Sequence, residues 1–457
     1  MTTEPRPLVV ICAVGLTPAH IGPHTPCLRA LAADGFLAPM RPDLPAVTTT
    51  AQTSMITGVH PERHGVVANG WYFRELGEVW LWRQSQRLLE APCVWSQLRV
   101  ADRPLRVLKH FWWYAMNTDA AATVTPRPVY HADGAKSPDF YAWPPSLKDR
   151  IAAAHGTFPL FHFWGPTAGL RSSRWIAESF ATAWDASRPE LALCYLPHLD
   201  YDLQRYGPTG AHLSGNLAAI DACCQTVITH ARARGAAVLV VSEYGIEAAE
   251  HAIPINRALR EAGLLAVTAN AAGELLDPGM SRAFAVADHQ IAHVYCADAP
   301  ARDAALQVLE NLPGIDRCYS GAQRSEIRLD HPRSGEIVAL ADRGAWFAYE
   351  YWLDPARRPD FANCVEIHKK PGYDPRELLF DPRGGKLRAA SALLRKKLGL
   401  RYRMNPVSLD PGLVRGTHGR SPAAPEHGPV VIGSEPAWQR DDWHHTDVAA
   451  TIAAHFG

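Results

Sequence analysis

Uninterrupted apolar runs, separated by amphipathic stretches, dominate the pattern of this chain. Residues 8–14, 191–196 and 237–242 are apolar almost throughout and rich in β-branched side chains. Runs of this length indicate strands that are buried on both faces, as in a parallel sheet. Segments with helical periodicity lie between them, at 26–34 and 214–233. The alternation predicts an α/β fold with a mostly parallel central sheet and helices on both faces.

Residues 281–352 break this alternation. The pattern there predicts a strand at 283–297, a helix at 301–312, and two strands within 326–351 around a turn at 332–335. A strand, a helix and a hairpin in this order are typical of a small α+β unit. We therefore predict that 281–352 is an insertion into the larger fold.

Three titratable residues of this insertion, Asp288, His289 and His293, are metal ligands by residue type. The segment that contains them has the pattern of a strand rather than that of a helix, on which the two histidines would face the same side. We therefore interpret all three as structural residues.

The insertion divides the rest of the chain into a core, 1–280 with 405–457, and a loop-rich basic segment, 353–404, with a helix predicted at 387–398. Within the core, residues 71–175 are irregular in pattern and rich in tryptophan and proline. Their rings either fill the core or form an aromatic wall for an apolar or ring-bearing substrate. The residues that we place on such a wall are Trp112, Trp113 and Tyr114.

Composition and charge narrow the classes of partner. Lysine plus arginine and aspartate plus glutamate number 46 each, so no net charge attracts nucleic acid or an anionic membrane. The nine cysteines are scattered, as in proteins with reduced thiols. The apolar run at the N-terminus is too short for a membrane span and lacks a secretion-signal pattern. These features predict a cytoplasmic protein with a small-molecule partner, and they leave the oligomeric state open.

Polar residues follow several of the predicted strands, at the positions where α/β folds bind ligands. Three hydroxyls begin at Thr48, where a helix is predicted to start, and free backbone N–H groups at a helix start favour an anion such as phosphate. An ordinary helix cap is the simpler interpretation of Thr48 alone. The further members of the set are Asn69, Asp200, Glu243, Tyr244 and His418.

An ordered motif links Thr48 to Asn69. It has the form P-x-x-T, then T-G-x-x-P-E-x-H-G, then N, and consists of Pro45, Thr48, Thr57, Gly58, Pro61, Glu62, His64, Gly65 and Asn69. This motif resembles that of the alkaline phosphatase superfamily, in particular its type I phosphodiesterase/nucleotide pyrophosphatase branch. The resemblance implies an alkaline phosphatase-like fold, two zinc ions, Thr48 as nucleophile and Asn69 as oxyanion stabiliser.

The metal ligands implied by the resemblance are incomplete. Asp200 and His418 fall on metal-ligand positions, but Gln204 stands where the family has a histidine. Val14 replaces an aspartate, and Tyr244 replaces a second histidine. Valine cannot bind zinc and a neutral phenol is a poor ligand. We therefore expect no metal or a single divalent ion, zinc if one is bound, held by Asp200, Gln204 and His418.

The first functional hypothesis is a phosphodiesterase- or phosphatase-like enzyme for a small molecule that bears phosphate or pyrophosphate. A threonine hydroxyl needs a metal or a base to attack, and Glu243 is the nearest candidate base for Thr48. Four cationic residues are candidates to supply the positive charge that absent zinc ions would leave out. Lysine and arginine usually lie at the surface, however, and we favour that interpretation for each of them. They are Arg83, Lys109, Lys369 and Lys370.

Two alternatives from other classes stay open. The chain also resembles a bacterial subgroup of the superfamily often found near biosynthetic genes, which implies that the altered site is a character of that subgroup. The first alternative keeps the fold and is an isomerase, lyase or cyclase of specialised metabolism that acts in the same aromatic-lined pocket. Such an enzyme would work without metal, with Glu243, Asp200 and His418 as acid and base. Tyr244 and Gln204 would then contact the substrate. The second alternative is a non-catalytic binding protein, against which the retained polar residues argue.

Overall fold

Two large sheets organise the computed structural model of this chain, which describes residues 6–457. In chain order their strands are β1 (Leu8–Ala13), β2 (Phe36–Arg41), β3 (Val107–His110), β4 (Ala122–Pro126), β5 (Phe140–Trp143), β6 (Leu191–Leu196), β7 (Ala237–Val241), β8 (Ala283–Asp288), β9 (Ile291–Cys296), β10 (Ile315–Ser320), β11 (Ile337–Ala341), β12 (Val430–Gly433) and β13 (Trp443–His444).

The central sheet has nine strands in the order β5-β4-β3-β6-β1-β7-β12-β2-β13. The pairs around β1 are parallel, as are the pairs β3–β6 and β3–β4, while β12 runs antiparallel to both of its neighbours. All side chains of β1, β6 and β7 are buried, so both faces of these strands need cover from helices. The prediction of a mostly parallel α/β sheet is confirmed.

Helices and short ribbons surround the sheets. The helices are α1 (Pro26–Asp34), α2 (Thr48–Thr57), α3 (Pro61–His64), α4 (Pro145–His155), α5 (Leu170–Ser187), α6 (His198–Tyr206), α7 (His212–Arg232), α8 (Ile255–Glu261), α9 (Ala299–Glu310), α10 (Gly385–Lys397) and α11 (Asp447–Phe456). Two-stranded ribbons pair Gly70–Phe73 with Glu78–Leu81, Arg99–Val100 with Arg103–Pro104, Val129–Tyr130 with Lys136–Ser137, Glu247–Ala248 with Gly416–Thr417, His251–Ile253 with Ala345–Phe347, and Val267–Asn270 with Gly273–Leu276.

The second sheet has the order β8-β9-β11-β10 and is antiparallel throughout. The strand expected at 283–297 is in fact the hairpin of β8 and β9, which turns at His289 with a positive φ of 56°. The prediction of a hairpin within 326–351 is wrong, because β11 pairs with β10, which precedes this region in the chain. Gly321–Ile327 between these strands is a 3₁₀ helix that follows a capping box at Ser320.

The carboxyl ends of the neighbouring strands β6, β1 and β7 open on one edge of the central sheet. Helix α6 follows β6 at this edge, and Glu243 and Tyr244 follow β7. Helix α2 ends at Gly58, whose φ of 70° is the left-handed conformation that suits glycine at a helix end. No helix within residues 6–457 combines the length and the apolar character that a bilayer-spanning segment requires. The nine cysteines are free thiols.

Candidate active site

Thr48 lies in the first turn of α2, directly after the N-cap residue Val47. Its side chain is almost fully buried, with 4% of its surface exposed, and it lines a large cavity. The hydroxyl oxygen lies 3.2 Å from the phenol oxygen of Tyr244. The structure therefore places a hydroxyl group at a helix start and beside a second hydroxyl group.

Tyr244 connects Thr48 to Asp200. The phenol donates its proton to Asp200 Oδ1 at 3.1 Å, so the hydrogen bond with Thr48 must have the threonine hydroxyl as its donor. Burial raises the pKa of Tyr244 well above its ordinary value, so the phenol is neutral. The three side chains form one chain of hydrogen bonds that runs from the Thr48 hydroxyl to a carboxylate.

Asp200 is buried in the first turn of α6. Gln204, one turn later, donates its amide to Asp200 Oδ2 at 2.8 Å and accepts a hydrogen bond from the Tyr373 hydroxyl at 2.9 Å. Burial raises the pKa of Asp200 to about 6, although the hydrogen bonds from Gln204 and Tyr244 oppose that rise. A carboxylate with this pKa can take up or release a proton near neutral pH.

His418 lies against two members of this hydrogen-bond chain, Asp200 and Tyr244. Its Nδ1 lies 2.8 Å from the carbonyl oxygen of Ala46, which can only accept, so Nδ1 carries the proton and Nε2 has a free lone pair. Nε2 is 3.8 Å from Asp200 Oδ1, and the ring stacks on Tyr244 with centroids 3.5 Å apart. Burial lowers the pKa of His418 well below its ordinary value, so the imidazole is neutral. We call Thr48, Asp200, Gln204, Tyr244 and His418 the cavity floor.

Glu243 has a different place from the one expected of a base for Thr48. The side chain is fully buried and does not line the cavity, and its Oε1 accepts a hydrogen bond from the Gln52 amide at 2.7 Å. Burial raises its pKa well above the ordinary value, which makes Glu243 a poor source of a charged carboxylate for Thr48. The expectation fails because Tyr244, the next residue, occupies the side of the chain that faces Thr48.

Asn69 lies behind Thr48 rather than on the cavity surface. Its Oδ1 accepts the backbone N–H of Thr49 at 3.0 Å, which ties it to the start of α2. Its own backbone N–H and side-chain amide donate to the two oxygens of Asp288, at 2.8 and 3.2 Å. Burial raises the pKa of Asp288 to about 6. Asn69 thus joins α2 to the tip of the second sheet.

A column of stacked rings forms one wall of the cavity, whose volume is about 1230 Å³. His289 stacks on His418 at 3.7 Å and on Tyr373 at 3.8 Å between ring centroids. Tyr373 in turn contacts Trp164 at 5.3 Å, and Trp82 contacts Trp113 at 4.9 Å. The predicted aromatic wall exists in this form, and rings from the tryptophan-rich region supply part of it.

Two of the three residues that we placed on this wall lie elsewhere. Trp113 lines the cavity, whereas Trp112 and Tyr114 do not. Trp112 is fully buried in the main hydrophobic core and Tyr114 in the core beneath the second sheet. Consecutive side chains point in different directions, so a run of three aromatic residues cannot face one cavity together.

The four candidate cations lie in different environments, some buried and some exposed or lining the cavity. Lys109 and Lys370 are buried rather than exposed, which corrects the surface interpretation for both. Lys109 donates to the carbonyl oxygen of Tyr114 at 2.5 Å, and Lys370 pairs with Asp374 at 2.8 Å. Lys369 is exposed. Arg83 lines the cavity and stacks on a tryptophan ring, and Lys136 and Lys396 line it as well.

His289 and Tyr373 are cavity residues that the sequence interpretation missed. The structural interpretation of His289 is incomplete, because its ring lines the cavity and its Nδ1 lies 2.8 Å from Asp288 Oδ1. The polar triplet at 288–290, inside an apolar run, was a usable signal of a hairpin turn. Tyr373 lies in a loop and offered no comparable signal.

The donors on the cavity floor are largely engaged. Both oxygens of Asp200 accept hydrogen bonds from side chains, and Val14 belongs to the hydrophobic core. Within residues 6–457, one group of three His, Cys, Asp or Glu residues has its ligand atoms within 4.8 Å of one another, and it lies elsewhere. That group is Asp43, His60 and His444, which we call the Asp43 cluster.

Comparison with known proteins agrees with the geometry. Phosphonoacetate hydrolase of Sinorhizobium meliloti, in complex with phosphonoformate, superposes with a TM-score of 0.61 at 14% identity over 99% of this chain and 96% of that chain. Inactive murine ectonucleotide pyrophosphatase/phosphodiesterase 5, in complex with AMP, gives 0.58 at 13% over 99% and 95%. These likenesses concern the fold. No curated protein sequence matches.

The family model for type I phosphodiesterase/nucleotide pyrophosphatase matches residues 8–374, which include the Thr48 motif, Asp200, Tyr244 and the aromatic column up to Tyr373. A match over most of the chain, together with the alkaline phosphatase-like sheet, decides the family. The chain belongs to the type I phosphodiesterase/nucleotide pyrophosphatase family of the alkaline phosphatase superfamily, and it is an enzyme of the phosphoric-ester hydrolase type.

Proposed function

We propose that this protein cleaves a phosphate ester that carries an apolar group, with Thr48 as the nucleophile and Asp200 as the base. The observation that supports this role is the chain of hydrogen bonds from Thr48 through Tyr244 to Asp200. A base that accepts the hydroxyl proton is what a threonine needs in order to attack. Tyr244 provides the path for that proton.

The bond changes balance without an additional reactant. The Thr48 oxygen forms a bond to phosphorus as the bond from phosphorus to the departing oxygen breaks. The hydroxyl proton moves to the Tyr244 oxygen while the phenolic proton moves to Asp200, and the departing oxygen takes a proton from water in the cavity. The hydroxide left by that water then attacks the phosphothreonine, the bond from phosphorus to the Thr48 oxygen breaks, and the Thr48 oxygen regains its proton from Asp200 through Tyr244.

We also propose that the cavity floor works without the paired zinc ions usual in this family, and with one divalent ion at most. For an ion to bind Asp200, Gln204 and His418, the Tyr244 phenol and the Gln204 amide would have to release the Asp200 oxygens. Zinc sites need about four nitrogen, sulfur or carboxylate donors, and Val14 and Tyr244 supply none. The donor set therefore suits proton transfer better than metal binding.

The cavity suits a substrate with both an anionic and an apolar part. Arg83, Lys136 and Lys396 line its walls and favour a phosphate group. Tryptophan, tyrosine and aliphatic side chains line much of the remaining wall, which favours an apolar or ring-bearing remainder. A volume of about 1230 Å³ accommodates a molecule larger than a simple phosphate monoester.

A second candidate is a metal-independent isomerase, lyase or cyclase. It is favoured by the pairing of a carboxylate of raised pKa, Asp200, with a neutral imidazole, His418, beneath a stack of rings. Two groups of this kind can exchange protons with a substrate without any nucleophilic attack. In that reaction Thr48 would only bind the substrate.

The Thr48→Ala variant separates the two candidates. We expect it to lose at least about 10³-fold in hydrolysis of an aryl phosphodiester by chelator-treated protein, because the covalent step has no other nucleophile. Mass spectrometry of the wild type after a rapid quench should find a phosphorylated peptide that contains Thr48. Thr57→Ala, at the other end of α2, is the matched control. An active Thr48→Ala together with an inactive Asp200→Asn would instead support proton transfer.

A further inference from the structure

The Asp43 cluster brings three metal-binding side chains together from separate elements. Asp43 lies in the loop between β2 and α2, His60 is the N-cap residue of α3, and His444 belongs to β13. Asp43 Oδ1 is 2.7 Å from His60 Nδ1 and 3.6 Å from His444 Nε2. One carboxylate and two imidazoles are a usual donor set for zinc.

The carboxylate of this cluster is incompletely satisfied. Asp43 is 3% exposed, and its Oδ2 is buried without a hydrogen-bond partner. A buried carboxylate oxygen that lacks a partner destabilises the fold unless a cation or a donor reaches it. The loop itself is held in place, because the Asp43 backbone N–H donates to His445 Nδ1 at 3.2 Å. The oxygen is thus fixed in position and available.

We propose that Asp43, His60 and His444 bind one divalent transition-metal ion of the zinc type. The His60 side chain keeps 33% of its surface exposed, so water can reach the fourth coordination position. The Thr446 hydroxyl lies 3.2 Å from His444 Nδ1 and orients the ring, as groups behind metal ligands usually do. The ion would join the loop before Thr48 to the C-terminal part of the chain, as a structural ion outside the catalytic cavity.

Calorimetric titration of the chelator-treated full chain with Zn²⁺ tests this site. We expect one equivalent to bind, and His60→Ala and His444→Ala each to weaken binding at least about 100-fold. Co²⁺ should give the visible absorption of a four-coordinate ion. His418→Ala is the control, because it removes an imidazole from the cavity floor and should leave the stoichiometry unchanged.

Two results would overturn the proposal. One is the absence of stoichiometric Zn²⁺ or Co²⁺ binding by folded wild type. The other is binding that survives both His60→Ala and His444→Ala but disappears in His418→Ala, which would move the ion to the cavity floor. Circular dichroism of each variant distinguishes lost ligands from a lost fold. The hydrolysis assay plays no part in either result.

A second and independent feature is the segment 384–403, which contains α10 and which we call the basic segment. It has seven basic residues and no acidic one, although the whole chain is balanced. Five of its leucines are more than half exposed. These are Leu387 at 76%, Leu393 at 56%, Leu394 at 59%, Leu398 at 64% and Leu400 at 51%.

The basic segment adjoins the mouth of the cavity. Leu393, Lys396 and Tyr402 line the cavity, and so do Tyr130 and Phe161. Tyr130 and Phe161 are themselves exposed, at 61% and 50% of their surface. Exposed apolar side chains therefore line part of the cavity together with Lys396, a cation of the basic segment.

We infer that this face docks on the surface of an anionic lipid bilayer. A helix with exposed leucines and several lysines and arginines, and with no acidic residue, has the composition of interfacial membrane-binding helices. The positive charge complements anionic head groups, and the leucines can enter the boundary of the acyl chains. The docking stands apart from the proposed reaction. If both hold, an amphiphilic phosphate ester could pass from the bilayer into the cavity.

Co-sedimentation with vesicles tests the docking. We expect the full chain to bind phosphatidylcholine vesicles that contain 30% phosphatidylglycerol, and not pure phosphatidylcholine vesicles. Lys386→Glu with Arg395→Glu and Lys397→Glu should weaken that binding at least about 100-fold, since each basic residue contributes about 1 kcal/mol, or about fivefold, near such a surface. Leu387→Ser with Leu394→Ser and Leu398→Ser should also weaken it.

A charge-matched variant completes the design. Arg29→Glu with Arg63→Glu and Arg282→Glu changes the net charge by the same amount at exposed positions of other segments. Equal losses in both charge variants would show a net-charge effect and overturn the assignment of the face. An absence of binding to anionic vesicles, or binding of a single-stranded RNA without vesicle binding, would overturn it as well.

Discussion

Two groups of carboxylates and imidazoles in this molecule differ in what their donor atoms already contact. On the cavity floor, both oxygens of Asp200 accept hydrogen bonds from Tyr244 and Gln204. In the Asp43 cluster, two imidazoles approach a carboxylate whose second oxygen has no partner. The resemblance to the family assigns metal-ligand positions to the floor, whereas we propose the metal ion at the cluster. We infer that metal binding depends less on a residue's position in a family motif than on whether the lone pairs of its donor atoms are already engaged in hydrogen bonds.

The electrostatics of the two groups differ in the same way. Burial raises the pKa of Asp200 to about 6 and lowers that of His418, so both groups tend toward neutrality. In the cluster, the hydrogen bond with Asp43 raises the pKa of His60, and the pKa of Asp43 is lowered by the same partner in spite of its burial. The floor thus favours proton exchange, whereas the cluster keeps its carboxylate ionised, and His60 must be in its neutral form when a metal ion binds.

The largest effect that we predict follows from Tyr244→Phe. The substitution removes the hydroxyl that connects Thr48 to Asp200 and leaves the ring that stacks on His418. We expect kcat for an aryl phosphodiester to fall about 10²- to 10⁴-fold, the usual contribution of general acid–base catalysis. KM should change little, and stopped-flow or steady-state kinetics measures both.

Tyr373→Phe is the matched control for that experiment. Its hydroxyl contacts Gln204 rather than Thr48 or Asp200, so its loss should reduce kcat by only about fivefold, the equivalent of one neutral hydrogen bond. Equal losses in the two variants would contradict the direct role of Tyr244. A fully active Tyr244→Phe would remove the proton path altogether.

The contrast also explains how far the sequence could predict the site. The Thr48 motif and the polar residues after β6 and β7 are local patterns, and they predicted the fold, the family and most of the floor. Which side chain faces which depends on packing between elements. Glu243 and Tyr244 are neighbours in sequence, and only the packing against Gln52 decides that the carboxyl turns inward and the phenol turns toward Thr48.

Local sequence patterns could not predict the residues that reach the site from outside the central sheet. His289 reaches the site because Asn69 joins the β8–β9 hairpin to the start of α2: Asn69 donates to Asp288 and accepts the Thr49 N–H. Tyr373 lies in the loop between Lys370 and Asp374, which form a buried ion pair. No periodicity in the sequence predicts that pair. The Asp43 cluster is joined across some four hundred residues of chain, so its members shared no motif.

Asp200→Asn should increase stability at pH 7. The pKa of Asp200 is raised in the folded state, so its favourable contribution is fully present below the unfolded pKa of about 4 and is lost as the pH rises through about 6. Removal of the charge should therefore stabilise the protein by roughly 1–3 kcal/mol at pH 7 and much less at pH 4. Urea denaturation at both pH values measures this change.

Asp441→Asn, at an exposed position, is the control for that gain. It should leave stability unchanged at both pH values, within about 0.5 kcal/mol. A loss of stability in Asp200→Asn at pH 7 would contradict the prediction, and it would show that the acceptor lost to Tyr244 or Gln204 outweighs the relief of the buried charge.

The pH dependence of the rate gives a smaller effect from the same group. Asp200 accepts the Thr48 proton only when it is ionised, so kcat/KM should fall below about pH 6 and be about tenfold lower at pH 5 than at pH 7. The measurement is a pH–rate profile of chelator-treated enzyme. The residual activity of Asp200→Asn should show no such limb. A limb in wild type near pH 4 would assign the base to a carboxyl group of ordinary pKa.

The smallest effect that we predict is a change in Tm on removal of metal, which tests the Asp43 cluster and the cavity floor in one sample. Protein loaded with Zn²⁺ and then treated with EDTA should lose a few degrees of Tm, because ligand at about 100 times Kd adds about 2.7 kcal/mol to the folded state. Its kcat/KM should stay the same, because the ion lies in the Asp43 cluster and the proton path lies on the cavity floor. His60→Ala should make Tm insensitive to EDTA. If EDTA abolishes hydrolysis and leaves Tm unchanged, the ion belongs to Asp200 and His418, and the contrast between the two groups is wrong.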